Sequence, residues 1–230
     1  MIIHGFQKMT LVDFPGKVAC ILFTGHCSFR CPFCHNGSLV LDPESQPVVD
    51  NDEVFSYLER RRRMLDGVVV TGGEPTLQPD LIPFMRRIKD LGYHVKLDTN
   101  GYFPDAVEAA IESGCVDYIA MDVKNSLGMY AQTAGIPSFD PSRILRSISI
   151  LMEGRTDYEF RTTVVRELHS VESIDQMGRM LKGARRHFLQ SYVYSEDIID
   201  PVYSAPTADQ MERYSEILKT YIENVSIRDR

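Results

Sequence analysis

The chain has 230 residues, 43% apolar and 25% charged, with a net charge of −7. That is enough apolar residue for a sizeable core, and the acid excess argues against sequence-independent binding to a phosphate backbone, so no nucleic-acid partner is expected. No stretch approaches the roughly 18 apolar residues that cross a bilayer, the N-terminal MIIHGFQKMTLVDFPGK lacks the layout of a signal peptide, and five cysteines, an odd number, do not make a secreted disulfide framework; a cytoplasmic protein is expected.

In chain order, KVACILFTG (17–25) is an apolar, β-rich run ending in a glycine. DNDEVFSYLERRRRML (50–65) has helical periodicity, with Asp50 or Asn51 placed to cap it. Its basic run, Arg60 to Arg63, reads as a solvated helix end suited to the helix dipole, or as a docking patch for a protein. GVVVTGG (67–73) is a short buried-strand pattern. QPDLIPFMRRIKDLG (78–92) and PDAVEAAIESG (104–114) are helices closing on Gly92 and Gly114. YHVKLDTNG (93–101) lies between them, and VDYIAMDVK (116–124) follows. DPSRILRSISILMEG (140–154), YEFRTTVV (158–165), SVESIDQMGRMLKGA (170–184), RHFLQSYVY (186–194) and TADQMERYSEILKTYIENV (207–225) complete the alternation. Six β/α units argue for an α/β fold with a parallel sheet and right-handed crossovers. Spacing alone leaves an open doubly wound sheet and an incomplete barrel both standing. In either, ligands sit at the C-terminal ends of the strands.

HCSFRCPFCHN (26–36) places Cys27, Cys31 and Cys34 just past the first strand run, with spacers that let one loop fold around a metal centre. Structural zinc wants four protein ligands, so a zinc reading needs His26 or His35, and His35 is adjacent to Cys34. A four-iron cubane held by three cysteines instead keeps one iron open for a substrate. Cys20, inside an apolar run, and Cys115, at a helix-to-strand turn, read as core residues.

The pattern Cys27, Cys31, Phe33, Cys34, followed after the next strand by GGEP (72–75), resembles the signature of the radical S-adenosylmethionine (SAM) enzymes over essentially the whole chain. The resemblance implies a partial (β/α)6 barrel of the TIM type, with residues 1–230 as a single radical SAM core domain. Closer still, TLVDFPGKVACILFTGHCSFRCPFCHN resembles the start of the small activating proteins of anaerobic ribonucleoside-triphosphate reductase, which group with the pyruvate formate-lyase activases. His26 departs from the pattern, which has glycine or another small residue before the first cysteine.

By this resemblance Cys27, Cys31 and Cys34 hold a [4Fe–4S] cluster, and SAM chelates the open iron and is cleaved to methionine and a 5′-deoxyadenosyl radical. Phe33 covers one side of the cluster and its backbone meets the adenine, and Asn36 hydrogen-bonds SAM. Gly72 and Gly73 receive the methionine amino group, buttressed by Glu74; alone, they read as a glycine turn. Asp98, Thr99 and Asp122 offer oxygens to ribose hydroxyls or to a monovalent cation, or form polar turns. Lys124 pairs with the SAM carboxylate or with Asp122. Arg161 meets SAM or forms a structural ion pair. The implied partners are a glycyl-radical enzyme, with the anaerobic ribonucleotide reductase foremost, and a flavodoxin- or ferredoxin-type electron donor. Two other readings stand beside this one: a small-molecule radical SAM enzyme like the 7-carboxy-7-deazaguanine synthases, and a zinc-stabilised module without catalysis.

Overall fold

The computed structural model describes residues 1–228. Among these residues eight strands form one sheet whose order follows the chain: β1 (Ile3–Thr10), β2 (Ala19–Thr24), β3 (Gly67–Gly72), β4 (His94–Thr99), β5 (Tyr118–Asp122), β6 (Asp157–Val164), β7 (Arg186–Ser191) and β8 (Asn224–Arg228). The expected parallel strands are β2 to β7, paired in register with one another. Two strands escaped the sequence pattern. β1 runs antiparallel to β2 as a hairpin arm, and β8 adds a further parallel strand beside β7. The last helical pattern therefore stops short: its helix ends at Lys219, and part of the stretch read as helical belongs to β8.

The helices are α1 (Gly37–Leu41), α2 (Asn51–Arg61), α3 (Leu81–Asp90), α4 (Pro104–Glu112), α5 (Leu127–Ala134), α6 (Pro141–Met152), α7 (Val171–Met180) and α8 (Ala208–Lys219). Local chemistry sets their starts. Asp50 caps α2 by accepting from the Asp52 N–H. Ser170 with Ser173, and Thr207 with Gln210, form reciprocal capping boxes on α7 and α8. Pro104 and Pro141 open α4 and α6, where a missing N–H does no harm. Arg60 and Arg61 fall in the last turn of α2 and are exposed, as a solvated helix end requires.

The strands are buried on both faces, which is why they read as apolar runs rather than alternations. Cys20, Leu22, Val68, Val70, Leu97, Ile119, Met121, Phe160 and Leu189 belong to the main core, together with Leu58, Met85, Ile88, Ile144, Leu151 and Met177 from the helices. Cys115 lies in the same core. The opposite face of the sheet is divided. Phe14, from the β1–β2 connection, packs with Ala19, Ile21, Val69 and Tyr118 in a separate small cluster. Elsewhere that face carries charge. Residues from every strand from β1 to β8 border one cavity, so the sheet curls around it. β1 and β8, at its two ends, do not pair, and the barrel stays open on that side.

His187 on β7 is fully buried, with its Nε2 2.9 Å from the Thr162 hydroxyl, and burial pulls its pKa from the ordinary 6.5 down to about 3. In that window the unfolded chain binds a proton that the folded chain refuses, so stability is whole above pH 6.5 and falls as pH drops toward 3. The expected slope from this residue is about 1.4 kcal/mol per pH unit. Urea unfolding between pH 4 and 7 should show a shallower slope in His187→Gln; an unchanged slope would contradict this assignment.

Candidate functional site

The cavity inside the curl has a volume of about 480 Å³, and all thirteen residues singled out from the sequence line it. They arrive from the cysteine loop after β2, the glycine turn after β3, and the ends of β4, β5 and β6. A parallel sheet brings these ends together because every strand finishes at the same rim.

The cysteine loop is knitted to its neighbours through its backbone. The His26 N–H donates to the Leu39 carbonyl (2.9 Å), and the Arg30 N–H to the Ala134 carbonyl at the end of α5 (2.9 Å). Gly135, in the left-handed region at φ 65°, sits where a Cβ would fall on the Arg30 carbonyl. Three thiols of this loop border the cavity: Cys31 is buried, Cys27 and Cys34 half-buried, and none is in a disulfide. Two N–H groups aim at the Cys27 sulfur, from the Phe29 backbone at 3.4 Å and the Asn100 side chain at 3.6 Å. Burial pushes the Cys27 thiol up to about 11 and Cys31 to about 12, and raises Cys34 as well. Thiolates here need a bound cationic group to be stable. Among the described residues no three His, Cys, Asp or Glu side chains converge on a point suited to one ion.

Phe33 is buried beside the thiols. Asn36 donates from its side-chain amide to the Gly72 carbonyl at 3.0 Å. The two glycines do permit a close approach, but its first beneficiary is the cysteine loop. The Gly73 N–H donates to Thr24 (2.8 Å), the Glu74 N–H donates to the His26 carbonyl (2.7 Å), and a Cβ on Gly73 would collide with that same carbonyl.

Glu74 is fully buried. One carboxylate oxygen accepts from the Thr76 N–H (3.1 Å), the Thr76 hydroxyl (2.5 Å) and the Thr99 hydroxyl (2.7 Å); the other accepts from the Asn100 N–H (2.7 Å). Burial raises its pKa, and these donors oppose the rise. Thr99 is thus committed to Glu74 rather than presented as a free oxygen.

Beyond it lies a chain of alternating charge. Lys96, fully buried below Asp98, donates to it at 2.5 Å. Arg161 bridges the two aspartates, reaching Asp98 at 3.0 Å and Asp122 at 2.9 Å, and Lys124 closes the row on Asp122 at 3.1 Å. Burial would raise both aspartates, but Arg161 and its neighbours outweigh it and hold both below the usual carboxylate range. The oxygens expected to meet ribose or a cation are therefore already shared among three side-chain cations. Sequence reasoning missed Lys96, which looks like any strand lysine until the alternation places it on the inner wall, and Asn100, which links the β4 end to Cys27. Gln190, Thr163 and Arg228 also border the cavity and carried no motif.

His26 has φ 62°, the one non-glycine residue with positive φ among those described. The departure noted in the sequence therefore falls where the backbone wants glycine.

A family model described as the radical SAM superfamily matches residues 21–181. A Methanocaldococcus jannaschii protein with the provisional name of a glycyl-radical enzyme activating enzyme is 29% identical, over 99% of this chain and 95% of its own. The pyruvate formate-lyase-activating enzyme of Clostridium pasteurianum is 32% identical over 54% of this chain and 52% of its own. A radical SAM methyltransferase from Sphaerobacter thermophilus shares the fold, with a TM-score of 0.76 at 15% identity over 96% of this chain and 68% of that one.

Because the strain at His26 is a Cβ effect, His26→Gly should raise the unfolding free energy of the metal-free chain by roughly 0.5–1 kcal/mol. His26→Ala, which keeps the Cβ, should not. The exposed contact of His26 with Glu44 at 3.4 Å adds little to either outcome. Equal denaturation midpoints for the Gly and Ala variants would remove the strain argument.

Proposed function

We propose that this chain, which belongs to the radical SAM superfamily, activates a glycyl-radical enzyme by abstracting hydrogen from a glycine Cα, with an anaerobic ribonucleotide reductase as its partner in the cytoplasm. It is a radical SAM enzyme of the glycyl-radical activase kind, and its cofactors are a [4Fe–4S] cluster and SAM. The observation that carries the reading is the meeting of three thiols, one buried and two half-buried, with the glycine turn and a row of charged strand ends in one cavity beside an unclosed barrel edge. The choice of partner rests on the resemblance of residues 10–36 to the reductase activators. A flavodoxin- or ferredoxin-type protein supplies the electron.

The donor set fits the cluster. Three cysteines leave one iron free, the N–H groups directed at Cys27 favour thiolate sulfur, and the surrounding burial demands a cationic group. When bound at Cys27, Cys31 and Cys34, such a cluster would supply the one-electron reduction that breaks the S–C5′ bond of SAM, releasing methionine and providing the radical chemistry that removes the glycine hydrogen. The chain's own residues prepare the place. Cys27, Cys31 and Cys34 are the ligands, and Phe33 shields them from water. Asn36 and Glu74 fix the glycine turn against the loop, so the backbone of Gly72 and Gly73 faces the methionine end of SAM. Arg161 and Lys124, anchored by Asp98 and Asp122, stand ready for its carboxylate. In this reading the glycine-bearing loop of the partner enters where β1 and β8 leave the barrel unclosed.

Reduced protein incubated anaerobically with SAM and the candidate reductase should yield a glycyl electron paramagnetic resonance doublet on the reductase. Cleavage of SAM with no such signal on any glycyl-radical partner would move the chain to small-molecule chemistry. Cys31→Ala should leave the fold intact and abolish both iron–sulfide uptake and SAM cleavage; a variant that still loads a cluster would overturn the ligand assignment.

A further inference from the structure

Between β7 and α8 the chain runs for sixteen residues, 192–207, without regular secondary structure. Connections longer than about 12–15 residues are uncommon inside a compact fold and generally carry a task. This one lies beyond residues 21–181, the part matched by the superfamily model.

It crosses back over the cysteine loop and the first turn of α1. The Gly37 N–H donates to the Asp197 carbonyl at 3.0 Å, and the Asp200 N–H donates to the Pro32 carbonyl at 2.8 Å. The Asp197 carboxylate accepts from the Ser38 N–H at 2.9 Å and from the Ser38 hydroxyl at 3.0 Å. The His35 ring lies 2.6 Å from the Val193 carbonyl. Gly37 is shaped to the crossing: a Cβ there would collide with the Asp197 carbonyl. Ile198 and Tyr203 anchor the segment by packing against the main core, which includes Cys31 and Phe33.

We propose that residues 192–207 form a strap that holds the cysteine loop closed around its cluster, with Asp197 as the positioning residue. The inference rests on the assignment of the loop as the cluster site. Its physical basis is that the loop has no regular structure between Cys27 and Asn36; its own hydrogen bonds, such as Cys34 N–H to the Cys31 carbonyl at 3.0 Å, are few, so contacts from outside add to what keeps its three sulfurs in place. Asp197 supplies two such contacts to α1, and its backbone supplies a third. The strap acts on the ligands through the loop and touches none of the three cysteines by hydrogen bond.

The test uses the anaerobically reconstituted full chain. Cluster absorbance is followed as a chelator removes iron, and backbone hydrogen exchange over residues 26–38 is measured in the metal-free protein. Asp197→Ala should speed cluster loss at least about fivefold, the effect of losing two hydrogen bonds to a carboxylate at a wet site, and should speed exchange in the loop. Asp197→Asn, which keeps an acceptor for the Ser38 N–H, should fall between. Gly37→Ala disturbs the same crossing from the other side and should match Asp197→Ala, and the double variant should be no worse than either alone. Glu196→Ala, exposed on the same segment, should behave as wild type. Cluster loss at the wild-type rate in both Asp197→Ala and Gly37→Ala would overturn the strap, as would equal loss in Glu196→Ala. A wild-type chain that takes up no iron and sulfide would instead overturn the cluster assignment, and the strap with it.

Discussion

The carboxylate of Glu74 is the junction on which the site depends. Its backbone N–H reaches the cysteine loop at His26, and its two oxygens gather the start of the following turn and the end of β4. A buried carboxyl group without partners would be costly, so Glu74 and its four donors require one another. Their mutual satisfaction sets the distance between the thiols and the charged strand ends. The glycines before Glu74 serve the same end: a side chain at Gly73 would strike the His26 carbonyl of the loop, and one at Gly72 the Thr24 backbone at the end of β2. Motifs far apart in the chain thus become one rigid wall.

The row Lys96–Asp98–Arg161–Asp122–Lys124 is the second constraint. It places three cations and two anions on the inner face of β4 to β6, where a barrel of this kind would otherwise bury apolar residues. Such a row is expensive in isolation and becomes tolerable because each aspartate answers two cations. Its use is preorganisation: the guanidinium of Arg161 and the ammonium of Lys124 are oriented before any ligand arrives, so little reordering remains on binding. The small apolar cluster around Phe14 fills another part of that face, and its Tyr118 donates to the fully buried Glu159 at 2.8 Å.

The legible part of this molecule was the part with strong local signals. β2 to β7 announce themselves as apolar runs, and the caps at Asp50, Ser170 and Thr207 mark helix starts by their chemistry. β1 did not, because its mostly half-exposed residues follow no clean alternation. β8 did not, because it follows α8 closely and shows mostly polar or exposed side chains. α5 was missed as well: LGMYAQTA has no clear stripe, and its C-terminus is shaped by contact with Arg30 rather than by local sequence. The thirteen residues singled out from the sequence, which all border the cavity, drew notice because each sits in a motif near a strand end. Lys96 and Asn100 did not, since their importance lies in what they touch.

By itself the sequence determined the cysteine spacing, the glycine turn and the order of the strands, since these rest on nearest neighbours and on the period of the chain. Only the tertiary structure decided what the polar residues do. It gave Thr99 to Glu74, shared Asp98 and Asp122 among three cations, revealed that His26 occupies a glycine's conformation, and laid residues near 197 across residues near 37. The physical reason is that a hydrogen bond or an ion pair is settled by a few tenths of an ångström between atoms that meet only when the sheet curls, and no local period encodes that meeting.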